Sequence, residues 1–467
     1  MATTSFGGIA SGLDTQALID ATISSTRQTR VKPNQDRVTE LEGTNTAFDD
    51  LNKKLTTLKD ALVPFTTLQG GGVNKTGTSS KESVVSANAT SSASNGSYSV
   101  TVNTLASNHT YSFDQTYTSS SDALQSDLTG AESEADRTVT FTIGSGTEQE
   151  TVSIVIPDGS YTAQNFVDAF NSASNKGRAS LVNIGTTSSP SYKVVITSLY
   201  EGTDKGIITR SALGASMTNL SAYSESAASN ASVTISGIGT ITRSTNSISD
   251  VIPGVSLSLS AIGTSTVKIS EDVPSTVTKV QKFVDAYNEL VSFISDSNKV
   301  TEEKQGREIV NVFSPLAQSR LDDNVLFALR SQISQTVASG GSSVRVLADL
   351  GITTERDGSL KFDSSKLQEA ISAEVTSVSK VFASFADATA TTSGIINQYT
   401  RFNGLLDTSV NANKTTIDDL NQRIADAEAQ IDRQTEQLKA KYARLESLMG
   451  KLQNQQASLT SALAGLG

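Results

Sequence analysis

The sequence predicts a multidomain α+β protein, with long coiled-coil-like helices at its ends, a helical domain, and two inserted β-rich modules. Three observations support this fold class. Apolar residues recur every seven positions near the C-terminus, and a shorter row with the same period lies near the N-terminus. Between them the apolar period falls to two. A period of seven is typical of a helix that meets another helix, whereas a period of two is typical of half-buried strands.

The composition excludes several kinds of functional site and partner. The 467 residues include no Cys, no Trp and one His, and the formal net charge is −11. The absence of Cys excludes a disulfide framework, a thiol nucleophile and a zinc–thiolate site. The acidic balance argues against a nucleic-acid partner, and no apolar run is long enough to insert in a membrane. Residues 1–26 contain no Lys or Arg, so we expect no cleaved signal peptide.

The N-terminal part is predicted to comprise a flexible segment, 1–40, and a helix, 41–72, that belongs to the helical domain. Asp14 is a candidate cap for a short helix in the first segment. In the second, four apolar residues stand seven apart, and two more lie three positions after members of that row. The residues predicted to pack this helix are Leu41, Phe48, Leu51, Leu55, Leu58 and Leu62.

The middle of the chain is predicted to form two β-rich modules, one inserted in the other. The first comprises residues 73–130 and 233–272, and the inserted one comprises 131–232. Apolar and polar residues alternate in segments such as 98–102, 139–143 and 192–196, as expected of antiparallel strands with one buried face. Two short helices are expected to interrupt the strands, one over 161–172 and one near 206–220.

Residues 273–404 are predicted to form a helical domain with one hairpin, because the apolar period returns to 3.6 after Pro274. Asp357-Gly358 is a hairpin turn signal between two short apolar runs. Ser365, with Gln368 three positions later, is a candidate capping box for the last long helix of this domain.

Residues 405–467 are predicted to form one coiled-coil helix, about 90 Å long at ~1.5 Å per residue. We expect it to leave the globular body and meet partner helices. Gln434 and Lys441 interrupt its second apolar row, which favours a helix that is only conditionally packed. The residues predicted to bind these partner helices are Val410, Ile417, Ile424, Ile431, Leu438, Tyr442, Leu445, Met449, Leu452 and Leu459.

Catalytic chemistry finds no support in the sequence. A Ser-His-Asp triad would need His109, the single histidine, and no Gly-x-Ser-x-Gly motif is present. One histidine cannot build a His-based metal site, and no calcium-loop or phosphate-loop motif occurs. We therefore predict no catalytic, metal or cofactor site and expect no enzyme activity.

Several segments resemble one known family. Residues 8–14 (GIASGLD), 98–106 (YSVTVNTLA) and 347–370 (LADLGITTERDGSLKFDSSKLQEA) are similar to the flagellar filament cap proteins, also called hook-associated protein 2. The tail, with Tyr442-x-x-Leu445-Glu446-x-x-Met449, is similar as well. The resemblance covers both ends of the chain and most of its middle.

The resemblance implies a structural cap at the distal tip of the bacterial flagellum, in which the two terminal segments act as legs. Such a cap is an extracellular ring of identical subunits that retains exported flagellin and promotes its folding and polymerisation. It also implies export without a cleaved signal peptide and a cytoplasmic chaperone that covers the C-terminal helix first. The resemblance leaves open whether the β-rich modules also bind a host surface. The number of subunits in the ring does not follow from one chain.

Two alternatives fit the same patterns. A coiled-coil surface adhesin with a β-rich head would share the acidic, cysteine-free composition. Another subunit of the flagellar filament or of its junctions would share the terminal heptads. Both would be structural or binding proteins rather than enzymes.

Overall fold

The chain divides into two compact units. The computed structural model describes residues 14–126, 128, 132–157, 161–305, 308–337 and 341–464. One unit contains the described residues up to Gly72 together with those from Val277 onward, and the other runs from Val73 to Thr276. Helix accounts for 48% of the chain and strand for 25%, which confirms the predicted α+β class with a long C-terminal helix.

The helices and strands have the following bounds in the described residues. The helices are α1 Thr15–Arg30, α2 Lys32–Leu62, α3 Ala163–Ala173, α4 Val273–Ser297, α5 Leu321–Ile333, α6 Ser364–Ala390, α7 Ile395–Thr400 and α8 Leu405–Ala464. The strands up to the centre of the chain are β1 Lys75–Ser79, β2 Val85–Ala89, β3 Gly96–Thr104, β4 Asn108–Tyr117, β5 Thr138–Ile143, β6 Glu150–Val155, β7 Gly177–Asn183, β8 Tyr192–Glu201, β9 Ile208–Leu213 and β10 Tyr223–Ser226. The remaining strands are β11 Ala231–Ile235, β12 Gly239–Arg243, β13 Ser247–Ile248, β14 Val255–Leu259, β15 Gly263–Glu271, β16 Val300–Gln305, β17 Glu308–Phe313, β18 Ile352–Thr354 and β19 Leu360–Phe362.

The N-terminal helices differ in one respect from the sequence prediction. Asp14 caps α1 as predicted, because its carboxylate accepts a hydrogen bond of 2.9 Å from the Ala17 backbone N–H. The predicted boundary between residues 40 and 41, however, falls inside α2, which is continuous from Lys32 to Leu62. Pro33 in the first turn suits a helix start, since its missing N–H would have no partner there. Of the 1–40 segment, residues 1–13 lie outside the described part of the structure.

The helical domain contains two strand pairs rather than the single predicted hairpin. The predicted turn at Asp357-Gly358 joins β18 to β19, and Gly358 takes a φ of +87°. The additional pair is β16 with β17, in which Val300 lies opposite Phe313. The β-branched residues of this pair favour an extended backbone, and they are the local signal for it.

The start of α6 also needs a correction. Its N-cap is Asp363 rather than Ser365, and the Asp363 carboxylate accepts from the Ser365 N–H at 3.0 Å. Asp is at least as good an N-cap as Ser, so the earlier residue takes this position. The helix is also interrupted at Glu374, whose φ of −145° and ψ of 55° are not helical.

The β unit contains two apolar cores. One joins the sheet β1-β15-β3-β11-β12 to the sheet β13-β14-β2, and its buried residues lie between Val84 and Ala106 and between Ala231 and Ile269. The other joins the sheets β10-β4-β8-β7 and β6-β5-β9 to α3, and its buried residues lie between Tyr111 and Leu220. The second module is therefore inserted in the first. Its first strand is β4, which lies on the N-terminal side of the predicted boundary at residue 131.

One of the two helices predicted in the β unit is not formed. The segment near 206–220 contains β9, which pairs antiparallel with β5 and places Ile208 opposite Ile143. A short apolar run does not distinguish a strand from a helix by its period, and here pairing with β5 decides the outcome. The other predicted helix is present as α3, and its Phe166, Val167 and Phe170 are buried as the pattern indicates.

Candidate functional site

The candidate site is the surface of α8, which contains 60 residues and is about 90 Å long at ~1.5 Å per residue. The chain turns into this helix at Asn403, whose φ of 53° lies in the left-handed region that Asn tolerates. The Asp407 carboxylate accepts a hydrogen bond of 2.9 Å from the Asn403 backbone N–H. A carboxylate in the first turn also interacts favourably with the helix dipole.

The first part of α8 packs against α2 and α7 of its own chain. Leu406 and Leu420 are buried, whereas the predicted partner-binding residues Val410 and Ile417 are half-buried. The Asn413 side-chain amide donates a hydrogen bond of 2.8 Å to the side-chain oxygen of Asn45 on α2. Therefore, this part of the predicted site belongs to the helical unit.

The central part of α8 packs against α1. Ile431 is 1% exposed and forms a small cluster whose other buried members are Ile19, Ile23 and Val31. The predicted partner-binding residues Ile424, Leu438 and Tyr442 are half-buried against this cluster, which we call the α1–α8 cluster. At its border, Arg27 and Glu428 form an ion pair at 3.0 Å.

The α1–α8 cluster corrects one expectation. The C-terminal helix was expected to leave the globular body and meet partner helices, whereas α1 of the same chain covers Ile431 on its central part. The i, i+4 spacing of Ile19 and Ile23 was the available signal, because it places both side chains on one helix face. It does not identify the helix that they contact.

The last part of α8 leaves its apolar row exposed. Leu445 is 42% exposed, Leu452 51% and Leu459 66%, although they continue the row that contains the buried Ile431. Met449 is half-buried. Two leucines not included in the predicted set, Leu448 and Leu463, are also exposed. We call the exposed leucines Leu445, Leu448, Leu452, Leu459 and Leu463 the distal apolar row.

The predicted packing residues of α2 lie in the interior. Their exposed fractions run from 0% at Leu51, Leu55 and Leu58 to 6% at Leu41. Phe48 and Leu62 fall within this range. Among the described elements, α2 packs against α1, α6, α7 and α8. The six residues therefore lie together on one buried face.

His109 occupies a structural position on β4. It is buried, and its Nδ1 accepts a hydrogen bond of 3.2 Å from the Ile208 backbone N–H on β9. The neutral ring therefore carries its proton on Nε2, which lies 3.5 Å from a carboxylate oxygen of Glu225. Burial lowers the pKa of His109, and the Glu225 carboxylate partly opposes that shift. This arrangement joins strands of the inserted module, as expected of a cross-strand histidine.

Two other kinds of site find no support in the part of the chain that the structure describes. Within it, no three His, Cys, Asp or Glu side chains converge in a way that could hold a metal ion. None of the described helices has the length and apolar content needed to cross a membrane.

Comparison with known families identifies the chain. The family model for the N-terminus of flagellar hook-associated protein 2 matches residues 11–109, and the model for its C-terminus matches residues 228–454. Together the two matches cover well over half of the sequence, including α2 and most of α8. The chain belongs to the flagellar hook-associated protein 2 family. This result supports the filament-cap interpretation over the adhesin and over another filament or junction subunit.

Two relatives in this family match over most of their length. The chain is 29% identical to the B-type flagellar hook-associated protein 2 of Pseudomonas aeruginosa, over 84% of this chain and 83% of that protein. It is 26% identical to flagellar hook-associated protein 2 of Escherichia coli K12, over 98% of each. The crystal structure of the D1, D2 and D3 domains of the flagellar cap protein FliD from Escherichia coli shares the fold. It aligns with a TM-score of 0.59 at 23% identity, over 79% of this chain and 99% of that one.

The two family matches leave a gap that coincides with a structural module. The segment between residues 109 and 228 contains strands β5 to β10 and the core of the inserted module. The two family-model matches therefore lie in the helical unit and the first β-rich module.

Proposed function

We propose that this chain is a subunit of the structural cap at the distal tip of the bacterial flagellar filament. The observation that carries the proposal is the match of both terminal regions to the hook-associated protein 2 family. In this role the protein retains exported flagellin and promotes its folding and polymerisation, so that the filament elongates. Its contribution is mechanical rather than enzymatic.

The partners follow from the same proposal. The subunits form a homo-oligomeric ring on the flagellin filament, outside the cell. The chain reaches that location through flagellar export without a cleaved signal peptide, and a chaperone covers α8 before export. Contact of the β-rich modules with a host surface is a further part of the proposal. The inserted module, which lies outside the two family-model matches, is the part to test for it.

The distal apolar row supports a docking role for α8. The five leucines of the distal apolar row lie at 42% to 66% exposure on one helix. Burying a leucine side chain contributes ~1.5–3 kcal/mol. A partner helix that covered the row would therefore gain a large binding free energy. Lys441 lies at the heptad position of Leu448 and limits the affinity for a purely apolar partner face. A cap that must release each time a subunit is added needs such limited affinity.

The predicted partner-binding residues differ in burial along α8. We propose that Leu445, Leu452 and Leu459, with Met449 beside them, bind flagellin and the chaperone. Val410, Ile417, Ile424, Ile431, Leu438 and Tyr442 instead lie in the part of α8 that packs on α1, α2 and α7. The α2 residues, from Leu41 to Leu62, pack the helical unit.

Replacing Leu445 by Asp, together with Lys441 by Ala, tests this proposal. The new carboxylate would be buried without a partner when the row docks, and Lys441 could no longer neutralise it. In a strain that makes only this variant, we expect short or absent filaments and flagellin in the medium, measured by microscopy and immunoblotting. Thermal unfolding followed by circular dichroism should be unchanged, because Leu445 is 42% exposed in the free chain.

Ile238→Asp is the matched control, since Ile238 is 48% exposed and lies between β11 and β12. It should build normal filaments. Full-length filaments and retained flagellin in the double variant would show that the distal apolar row is not the docking surface. Labelling of purified flagella with an antibody to the chain should mark the distal tip; a label confined to the base or spread along the filament would contradict the cap function itself.

A further inference from the structure

Charge is distributed unevenly along α8. Between residues 407 and 432 there are six acidic and two basic side chains, and between residues 433 and 451 there are two acidic and five basic ones. Residues 452–464 carry no charge. The basic stretch stands out in a chain whose formal net charge is −11. It coincides with the start of the distal apolar row.

Two of the basic residues border that row on one side, and a third, Lys441, lies at the heptad position of Leu448 within it. Arg444 and Lys451 directly precede Leu445 and Leu452, which places them at the heptad position that flanks an apolar seam and pairs with partner charges. Lys441 lies three residues before Arg444, so the two side chains are neighbours on the helix surface. Lys441, Arg444 and Lys451 form what we call the basic ridge.

The basic ridge is available to a partner. All three side chains are exposed, and none takes part in an ion pair within the described residues. Lys439, by contrast, pairs with Glu436 at 3.0 Å on its own helix. The ridge therefore presents three positive charges along an apolar row that is itself uncovered.

We infer that the distal half of α8 docks an amphipathic helix of another protein, whose apolar face is bordered by Asp and Glu side chains. This inference rests on the proposed docking role of α8 and specifies the chemistry of its partner. Apolar contact with the distal row supplies affinity. Carboxylates opposite Lys441, Arg444 and Lys451 supply orientation and partner choice, because complementary charges select among helices with similar apolar faces.

A second copy of the chain fits this surface poorly. Two distal halves laid side by side in parallel would bring their basic ridges together, and like charges disfavour that pairing. Laid antiparallel, each ridge would lie opposite the uncharged residues 452–464 and find no carboxylates there. The acidic half of α8 in another copy has its apolar residues engaged, since Leu420 is 9% exposed and Ile431 is 1% exposed against its own chain. The occupant is therefore a helix from a different protein.

Two synthetic peptides test the inference with the full-length chain. Both are amphipathic helices of about four heptads with the same leucine face, and Glu flanks that face in one while Lys flanks it in the other. Fluorescence anisotropy of the labelled peptides measures binding. We expect the Glu peptide to bind about tenfold more tightly at low salt, as three exposed ion pairs would give. The preference should shrink as salt screens the charges.

Reversing the ridge should reverse the preference. The variant Lys441→Glu, Arg444→Glu and Lys451→Glu should favour the Lys peptide. The matched control is Lys205→Glu, Lys361→Glu and Arg433→Glu, which changes the net charge equally at exposed positions outside the ridge. It should keep the preference for the Glu peptide. Circular dichroism of both variants checks that α8 stays helical.

Each contrary result has a defined meaning. If ridge reversal leaves the preference unchanged while Leu445→Asp abolishes peptide binding, the partner-charge inference fails and the docking role of the row stands. If Leu445→Asp has no effect on either peptide, both the inference and the proposed docking surface fail. A chain that dimerises in dilute solution, and becomes monomeric with Leu445→Asp, would show that the occupant is a second copy and would overturn the inference.

Discussion

The row on α2 and the distal apolar row on α8 share a seven-residue period but have different environments. Leu55 of α2 is fully buried, whereas Leu452 of α8 is 51% exposed. Helix α2 has neighbours on several sides within the helical unit, namely α1, α6, α7 and α8. The end of α8 extends past the last residues that α1 covers, because α1 is 16 residues long and α8 is 60.

This difference shows what a heptad pattern specifies. It predicts a helix with one apolar face that needs a partner, and both helices are present. The partner of α2 lies in the same chain, so its row stabilises the fold. The distal row is left exposed by the described residues of the chain, so that row is available for assembly. Four experiments compare buried with exposed groups in this protein. They are given in order of decreasing expected effect.

The largest effect is expected from Leu55→Ala compared with Leu452→Ala. The first substitution leaves a cavity on the buried face of α2 and should cost ~2–5 kcal/mol of unfolding free energy. The second removes a side chain that is largely in water and should change stability by less than ~0.5 kcal/mol. Urea denaturation followed by circular dichroism measures both. Similar losses for the two variants would mean that the distal row also packs within the isolated chain.

Ile431→Ala probes the intermediate case, in which the α8 row is covered only by α1. The α1–α8 cluster has four buried residues, so its loss should release α1 without unfolding the helical unit. We expect hydrogen exchange of the α1 backbone amides to accelerate at least ~10-fold, as local opening becomes easier. The midpoint of global unfolding in urea should not change. Unchanged exchange in α1 would show that α1 does not depend on this contact, and Leu452→Ala serves as the control.

A pH titration extends the comparison of buried and exposed groups to the β unit. Burial holds the pKa of His109 below its ordinary value, so the unfolded chain binds its proton more readily than the folded one. Stability of the β unit should therefore decline as pH falls below ~6.5 and continue to decline until the folded-state pKa is passed. His109→Asn removes the titration and keeps an acceptor for the Ile208 N–H. Because this is the single histidine, the variant should show a flat profile between about pH 7 and about pH 5.5, measured by thermal unfolding, whereas an unchanged slope would contradict the assignment.

The smallest effect is expected from the ion pair between Arg27 and Glu428. Its side chains are 51% and 34% exposed, so water and salt weaken their attraction. A double-mutant cycle with Arg27→Ala and Glu428→Ala, read by exchange of the α1 amides, should give a coupling below ~1 kcal/mol. If the coupling free energy exceeds the change in α1 opening free energy caused by Ile431→Ala, the ion pair rather than apolar packing keeps α1 on α8.

Periodic segments were predicted well, and segments without a clear period were not. The alternation around Phe141 and Ile196 predicted β5 and β8, since a sustained period of two indicates a strand with one buried face. The segment that contains Ile208 was predicted as helix and forms β9, because its few apolar residues fit both periods. The boundary of the inserted module was misplaced for a related reason. Strand β4 has the same alternation as the strands of the first module, and only its contacts with β8 and β10 assign it to the inserted one.

The candidate site shows the same limit. The continuous row from Val410 to Leu459 is visible in the sequence, together with the basic residues that border its end. The sequence also shows Ile19 and Ile23 on one face of a short helix. It does not show that these two side chains cover Ile431, since the residues are far apart in the chain and no local pattern links them.

The sequence by itself determined the helices at both ends, the alternating strands between them and the apolar rows, because each depends on interactions between residues close in the chain. The tertiary structure alone decided that the row of α2 is internal, that the row of α8 divides at the α1–α8 cluster, and that its last leucines remain exposed. Burial depends on which distant surface covers a side chain, and a repeat of seven is the same whether that surface comes from the chain or from a partner.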